Sequence, residues 1–305
     1  MNYFFGIDGG GTKSRIRVVS GNNETLYEAL GGSTNIYAGS RSQALKEIRD
    51  LILNALIDLQ ITVDDISGGC ISSAGLSRPE EKKLFSELIS EELGLQCPMY
   101  YCNDGESLLV GGLKKMEGVC LIVGTGSIAI GRLKDGTMAR AGGLGHMLGD
   151  EGSAYWIAQQ AIARSLRSQE KRDLETRILQ DLIKFYHLTE PADFIFLLHN
   201  QFQKAEIASA APVVTKYALE HDPLAVDILK STAKEIFSLV RSVLLQLPVL
   251  DSSEIVLAGG VLERDDYILE KVCALIHENY PDLSIIEKRG DATAGACQLA
   301  MSLSD

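Results

Sequence analysis

Two short apolar segments, each interrupted by a glycine-threonine turn, limit the folds open to this chain more than any other feature. Residues 3–19 read Tyr-Phe-Phe-Gly-Ile-Asp-Gly-Gly-Gly-Thr-Lys-Ser-Arg-Ile-Arg-Val-Val. An apolar strand closes at Ile7, a carboxylate follows at Asp8, the chain turns on glycines, and Thr12 and Lys13 precede a second strand. Consecutive turn amides without Cβ atoms form a concave nest for anions. A carboxylate beside such a nest suits Mg²⁺, which favours one or two carboxylates together with phosphate oxygens and water. The segment therefore predicts a phosphate-binding hairpin, with Gly10, Gly11, Thr12 and Lys13 facing phosphate and Asp8 holding Mg²⁺ through water.

The same grammar returns at Val119–Leu133, Val-Cys-Leu-Ile-Val-Gly-Thr-Gly-Ser-Ile-Ala-Ile-Gly-Arg-Leu, with Gly124-Thr125 in the place of Gly11-Thr12. A repeat this long points to duplication of a domain and not to a solenoid. Two hairpins from two domains would grip a polyphosphate from both sides. A third glycine turn, Ile255-Val-Leu-Ala-Gly-Gly-Val261, follows an apolar strand and precedes a helix, a natural seat for the nucleoside end.

Bulk properties narrow the partners. The 305 residues suffice for two medium domains with real cores. A net charge of −12 argues against nucleic acid, whose phosphate backbone needs a basic face. No basic region and apolar segment suggest a signal peptide, and no apolar run approaches the ~20 residues of a membrane helix, so a cytoplasmic protein without membrane contact is expected. Cys70, Cys97, Cys102, Cys120, Cys273 and Cys297 form no C-x-x-C pair and read as reduced, buried cysteines.

Strand and helix signals alternate along the chain. Ser40–Gln60 predicts an amphipathic helix with Leu45, Ile48, Ile52, Ala55 and Leu59 on one stripe. Ser77 is placed to cap a second helix that carries Pro79 near its start, turns Leu84, Leu88 and Ile89 inward and stops at Gly94. Gly68–Ala74 and Pro98–Cys102 read as buried strands. Glu151–Leu247 is helical in pattern almost throughout, with breaks near Thr189-Glu-Pro191 and His221-Asp-Pro223; strands and helices alternate again from Glu254. These signals divide the chain into residues 1–118 and 119–290, the second part with a helical insertion, and send a final helix in 291–305 back onto the first.

The two hairpins and the late Ala-Gly-Gly turn resemble the actin-like ATPase superfamily. Within it, Gly142-Gly-Leu-Gly-His-Met-Leu-Gly-Asp-Glu-Gly-Ser-Ala-Tyr-Trp-Ile-Ala158 resembles the hallmark segment of the N-acetylglucosamine kinase relatives, the BadF/BadG/BcrA/BcrD ATPase family. That resemblance implies an α/β fold of two ribonuclease-H-like domains with the active site in a cleft between them. It implies an ATP-dependent, Mg²⁺-dependent kinase, commonly a homodimer, acting on the 6-hydroxyl of N-acetylglucosamine, or on glucosamine or N-acetylmuramic acid. A more distant alternative within the same grouping is an ATPase that activates a dehydratase or reductase through an iron–sulfur cluster; Cys97 and Cys102, the closest cysteines, flank one short strand and make a poor cluster site.

Carried over position by position, the resemblance makes Asp104 the catalytic base and a sugar contact, and Thr12, Lys13, Gly124, Thr125, Gly126 and Ser127 phosphate ligands. Gly259 and Gly260 match the adenosine motif, and Ser209 stands where the nucleotide-side helix often has glycine. Asn35 matches a contact to the amino-sugar substituent, Asp150 an acceptor of ring hydroxyls, and the backbone of Gly143, Leu144 and Gly145 the wall of the same pocket. Leu144 replaces an aromatic residue found in many relatives, which would make room for a bulkier ring substituent. Local alternatives stand beside these roles. Asp104 and the Asp150-Glu151 pair could be helix caps, Asn35 a turn residue, Trp156 a core residue and His146 hydrogen-bonded scaffolding.

Overall fold

The computed structural model describes residues 2–37, 40–76, 78–200 and 203–304. They form two compact units, one of Met1–Cys120, Lys134–Gly136 and Glu287–Asp305, the other of Leu121–Leu133 and Thr137–Ile286.

In the first unit, β1 (Tyr3–Gly9), β2 (Ser14–Ser20) and β3 (Thr25–Gly31) form an antiparallel meander, as short glycine-rich and polar turns dictate. Helix α1 (Arg41–Leu59) begins where the Ser40 side chain accepts from the Gln43 amide and ends at Gln60 in the left-handed region. Its buried face is Ala44, Ile48, Leu51, Ile52, Ala55 and Leu56, so Leu45 and Leu59 of the predicted stripe sit only half-buried at its margins. Strand β4 (Ile66–Ser73) returns parallel to β1. Helix α2 (Pro79–Glu87) follows; the cap expected at Ser77 lies outside the described residues, and Glu81 Oε2 accepts from the Arg78 amide at 2.6 Å. Glu81 and Phe85 are the buried residues of this helix, with Leu84 half-buried, and Leu88 and Ile89 are buried in a single wider turn that ends at Gly94, φ 68°. Strand β5 (Met99–Cys102) pairs parallel with β4 and leads straight into α3 (Asp104–Leu113). The sheet order is β3-β2-β1-β4-β5, with Phe5, Ile7, Ile16, Ile48, Ile71 and Phe85 in the core on one face.

The second unit repeats that plan. Strands β6 (Gly118–Val123, whose last three residues belong to this unit), β7 (Ser127–Arg132) and β8 (Met138–Gly142) are followed by α4 (Ala154–Gln169), α5 (Ile178–Phe185), α6 (Asp193–Asn200), α7 (Lys204–Ala208), α8 (Ala211–Leu219) and α9 (Pro223–Gln246). Strand β9 (Glu254–Ala258), helices α10 (Gly260–Arg264) and α11 (Asp266–Asn279) and strand β10 (Ser284–Ile286) complete it. The order β8-β7-β6-β9-β10 is the first sheet's order, strand for strand. The duplication inferred from two hairpins is thus present in the topology, and the α/β class is as expected. Between Glu151 and Leu247 the described residues contain no strand, and breaks fall before Asp193 and Pro223.

The chain closes with α12 (Ala292–Met301), capped by Asp291, which packs on α3, β1 and β4 of the first unit. Sequence explains the closeness of this packing: Gly6, Gly111 and Gly295 carry no Cβ where backbones meet. A Cβ on Gly295 would lie 1.9 Å from the Ser107 carbonyl oxygen, and one on Gly111 2.0 Å from that of Asp291. Rigid backbone cannot yield there, so Gly295→Ala should destabilise the protein by about 2–3 kcal/mol. Chemical denaturation would read this directly, and a loss below about 0.5 kcal/mol would show that α3 and α12 are not in such contact.

Candidate active site

In the first unit the β1–β2 turn closes with the Gly10 amide donating to the Lys13 carbonyl at 2.9 Å, leaving Gly11, Thr12 and Lys13 exposed at its tip. Gly9 has a different reason to be glycine from the one the nest argument gives: a Cβ there would lie 1.7 Å from Thr34 Oγ1. Ser33 Oγ and the Thr34 amide both donate to the Gly10 carbonyl, at 3.2 and 3.3 Å, so the 32–35 loop braces the turn. Asn35, in that loop, accepts the Tyr37 amide on Oδ1 at 2.8 Å. It is a turn residue by this bond, and ligand contact would fall to its NH₂ end.

Asp8 sits at the end of β1, opposite Arg15 on β2 and Ser72 on β4. Burial pushes its carboxyl up to about 6, and the neighbouring charges of Asp104 and Asp291 push the same way against Arg15 and Lys13. Sequence reasoning missed Asp291. Its Oδ2 accepts from Arg17 Nη2 at 3.0 Å and Arg15 Nη1 at 3.3 Å, and its Oδ1 takes the Ala294 amide at 2.8 Å as the cap of α12. Burial alone would raise the Asp291 carboxyl, but the Ala294 amide and the two guanidiniums more than offset it and hold it below the ordinary carboxylate value. A lone Asp ahead of α12 carries no motif; only the fold brings residue 291 beside residue 8.

Asp104 is the first residue of α3, and its helix is capped by its neighbour: Asn103 accepts the Gly105 amide at 3.0 Å. The cap alternative for Asp104 is therefore taken by Asn103, although Asp104 Oδ1 also lies 3.1 Å from the same amide. Asp8 and Asp104 are close enough for each charge to be felt by the other. Among the described residues no group of three or more His, Cys, Asp or Glu could hold a metal ion by itself. A cation at Asp8 would draw its remaining ligands from phosphate and water, as Mg²⁺ does and as a half-buried carboxylate pressed by two further negative charges favours.

In the second unit the Gly124 amide donates to the Gly126 carbonyl at 2.9 Å, with Thr125 exposed at the bend. The segment that follows Gly149 holds this bend on three sides. The Ala154 amide donates to the Gly124 carbonyl at 2.9 Å, Ser127 Oγ donates to the Glu151 carbonyl at 2.7 Å, and the Ser127 amide donates to Asp150 Oδ1 at 3.2 Å. Asp150 is 3% exposed and adopts φ 62°, unusual for a residue with a side chain. Its Oδ2 is paired with Lys204 Nζ at 2.6 Å. Neither Asp150 nor Glu151 caps α4; Ser153 does, accepting the Trp156 amide at 3.3 Å. Trp156 itself is half-buried, not core, and His146 meets Tyr155 edge-on with ring centroids 5.1 Å apart.

Gly259, at φ 95°, packs so closely on β6 that a Cβ would lie 2.5 Å from the Val123 carbonyl oxygen. This brings Gly260 beside Gly124, as the third glycine turn requires if it is to seat a nucleoside. Gly124, Thr125, Ser209 and Gly260 line one cavity of about 900 Å³ whose walls include Ala205 and Val261. The volume and the apolar walls suit a nucleoside. Gly143, Leu144 and Gly145 stand apart from that cavity's lining. Arg140 donates to the Gly142 and Gly143 carbonyls at 3.1 and 2.5 Å, Leu144 is 62% exposed, and a Cβ on Gly145 would meet nothing within 4 Å.

The cysteines are free. Cys97 and Cys273 are half-buried and the other four buried; Cys97 Sγ lies 3.9 Å from Met99 Sδ, and Cys102 Sγ 3.9 Å from Cys70 Sγ. Cys97, which precedes β5, and Cys102, its last residue, thus have different sulfur neighbours. Among the described residues no helix is long and apolar enough to cross a membrane.

Comparison with known proteins gives the family and the fold. The model of the BadF/BadG/BcrA/BcrD ATPase family matches residues 5–298. An N-acetylmuramic acid/N-acetylglucosamine kinase of Clostridium acetobutylicum is 35% identical over 308 residues, covering 100% of both chains. An N-acetyl-D-glucosamine kinase of Dictyostelium discoideum is 28% identical, covering 98% of each. Among solved structures, a proposed N-acetylglucosamine kinase from Chromobacterium violaceum superposes with a TM-score of 0.74 at 23% identity, covering 97% of this chain and 98% of that one, a likeness of fold.

Proposed function

Because the chain belongs to the BadF/BadG/BcrA/BcrD ATPase family, we propose that it is an ATP-dependent amino-sugar kinase that phosphorylates the 6-hydroxyl of N-acetylglucosamine. The observation that carries the reading is the 900 Å³ cavity on which the Gly124-Thr125 bend and Gly260 converge. Adenosine fits its apolar walls, with phosphate on the amides of Thr125 and Gly126 in this bend; Gly11, Thr12 and Lys13, exposed at the tip of the β1–β2 turn, are the phosphate residues of the first unit. Mg²⁺, held near Asp8 through water, would neutralise charge on the β- and γ-phosphates.

Asp104 is the base in this reading. Phosphoryl transfer leaves the protein alignment, charge neutralisation and the removal of one proton. The half-buried Asp104 carboxylate accepts the proton of the 6-hydroxyl as that oxygen attacks, and Asn35 and Asp150 orient the ring. A homodimer in the cytoplasm completes the proposal.

One observation favours N-acetylmuramic acid as a second substrate. Leu144 is exposed and a Cβ on Gly145 would meet nothing within 4 Å, which leaves room at this wall for a substituent larger than the N-acetyl sugar's own, such as a lactyl group. The Clostridium acetobutylicum relative is named for both sugars. Coupled measurement of ADP release across N-acetylglucosamine, N-acetylmuramic acid, glucosamine and glucose is expected to rank both N-acetylated sugars at least tenfold above glucose in kcat/KM. Equal rates with glucose would remove the role given to Asn35.

A further inference from the structure

Asp150 is assigned to the sugar, yet both of its oxygens already have partners inside the second unit. Oδ1 takes the Ser127 amide at 3.2 Å and Oδ2 the Lys204 ammonium at 2.6 Å. The Asp150 side chain is 4% exposed, while that of the lysine is 31% exposed. A buried carboxylate requires a charge partner, because desolvation without one is costly. Lys204 is the cation that allows Asp150 to sit under the bend, and Asp150 in turn holds the bend: a Cβ on Gly126 would already lie 2.8 Å from Asp150 Oδ1.

The same lysine opens α7, whose Ala205 and Ala208 line the 900 Å³ cavity together with Thr125. One ion pair therefore joins a wall of the cavity to the turn whose amides would meet phosphate. We propose that Lys204 is a positioning residue for nucleotide: acting through Asp150, it holds the Gly124–Ser127 turn in the conformation that receives the β- and γ-phosphates, and ties that turn to α7. This rests on the kinase reading for the identity of the nucleotide. Nothing in the local sequence marks Lys204, which meets Asp150 only in the fold.

Calorimetric titration of AMP and of Mg·ADP into the intact protein tests it, since AMP lacks the phosphates this turn would receive. Lys204→Met should weaken Mg·ADP at least tenfold and leave AMP within threefold of wild type. Lys204→Arg, which keeps charge and donors, should hold both within threefold. Should Lys204→Met fail to fold because Asp150 is left unpaired, the double variant Asp150→Asn/Lys204→Met, which removes the orphan charge, should show the same selective loss. Unchanged Mg·ADP affinity in the variant would overturn the inference, as would a loss confined to sugar affinity or a parallel loss of AMP. Wild-type protein that binds neither nucleotide would instead overturn the kinase reading, and the inference with it.

Discussion

Asp104→Ala is expected to lower kcat by about a thousandfold while leaving the Kd for Mg·ATP within threefold of wild type. General-base catalysis contributes about 10²–10⁴-fold, and in a reaction that asks little covalent work of the protein this base is one of few groups acting on a bond that breaks. Asn103, not Asp104, caps α3, so the substitution should spare the helix and therefore the fold. Wild-type kcat in the variant would end the assignment. The same variant carries a second readout. Asp104 is among the charges that raise Asp8, so its removal should move any ionisation of Asp8 to lower pH.

Asp8→Asn is expected to pull stability and activity in opposite directions. The Asp8 carboxyl titrates near 6 in the fold, against an ordinary value of 3.8. A raised carboxyl means that the folded chain holds the proton more tightly than the unfolded chain. Stability is thus highest below about pH 4 with respect to this group and falls as pH rises through about 6. At pH 7 the ionised group costs the metal-free protein about 1–3 kcal/mol, because each tenfold gain in proton affinity on folding is worth roughly 1.4 kcal/mol. Asparagine removes that cost, so the variant should melt at higher temperature at pH 7 without Mg²⁺. It should also lose at least about a hundredfold in kcat/KM, since the proposed Mg²⁺ carboxylate is gone. In the wild-type protein at limiting Mg²⁺, kcat/KM should fall about tenfold from pH 7 to pH 5, and excess Mg²⁺ should restore part of it. A flat profile, or a less stable Asp8→Asn protein, would take Asp8 out of the metal-binding role.

Local chemistry explains which features were readable in the chain. Ile7-Asp8 with Gly10, and Val123 with Gly124-Thr125, specify a strand, a turn and their register over a few residues, so a pattern two residues in period suffices to find them. The identical order of the two sheets follows from the same repeated grammar. The stripe on α1 was legible for the same reason, though its centre shifted because a helix face wide enough to bury six residues has no sharp edge in sequence. Residues whose role is to be near something remote left no such mark. Arg17 was silent in sequence, and Gly295 reads as an ordinary helix breaker until Ser107 is placed against it.

Sequence alone determined the two threonine-bearing turns, the carboxylates at 8 and 104 and the α/β alternation, because each depends on backbone preferences that act between near neighbours. Tertiary structure decided what surrounds them. Asp291 lies beside Asp8, Lys204 neutralises Asp150, and α12 returns to β1. These depend on burial and Coulomb attraction between residues far apart in the chain, which take effect only once the backbone has folded.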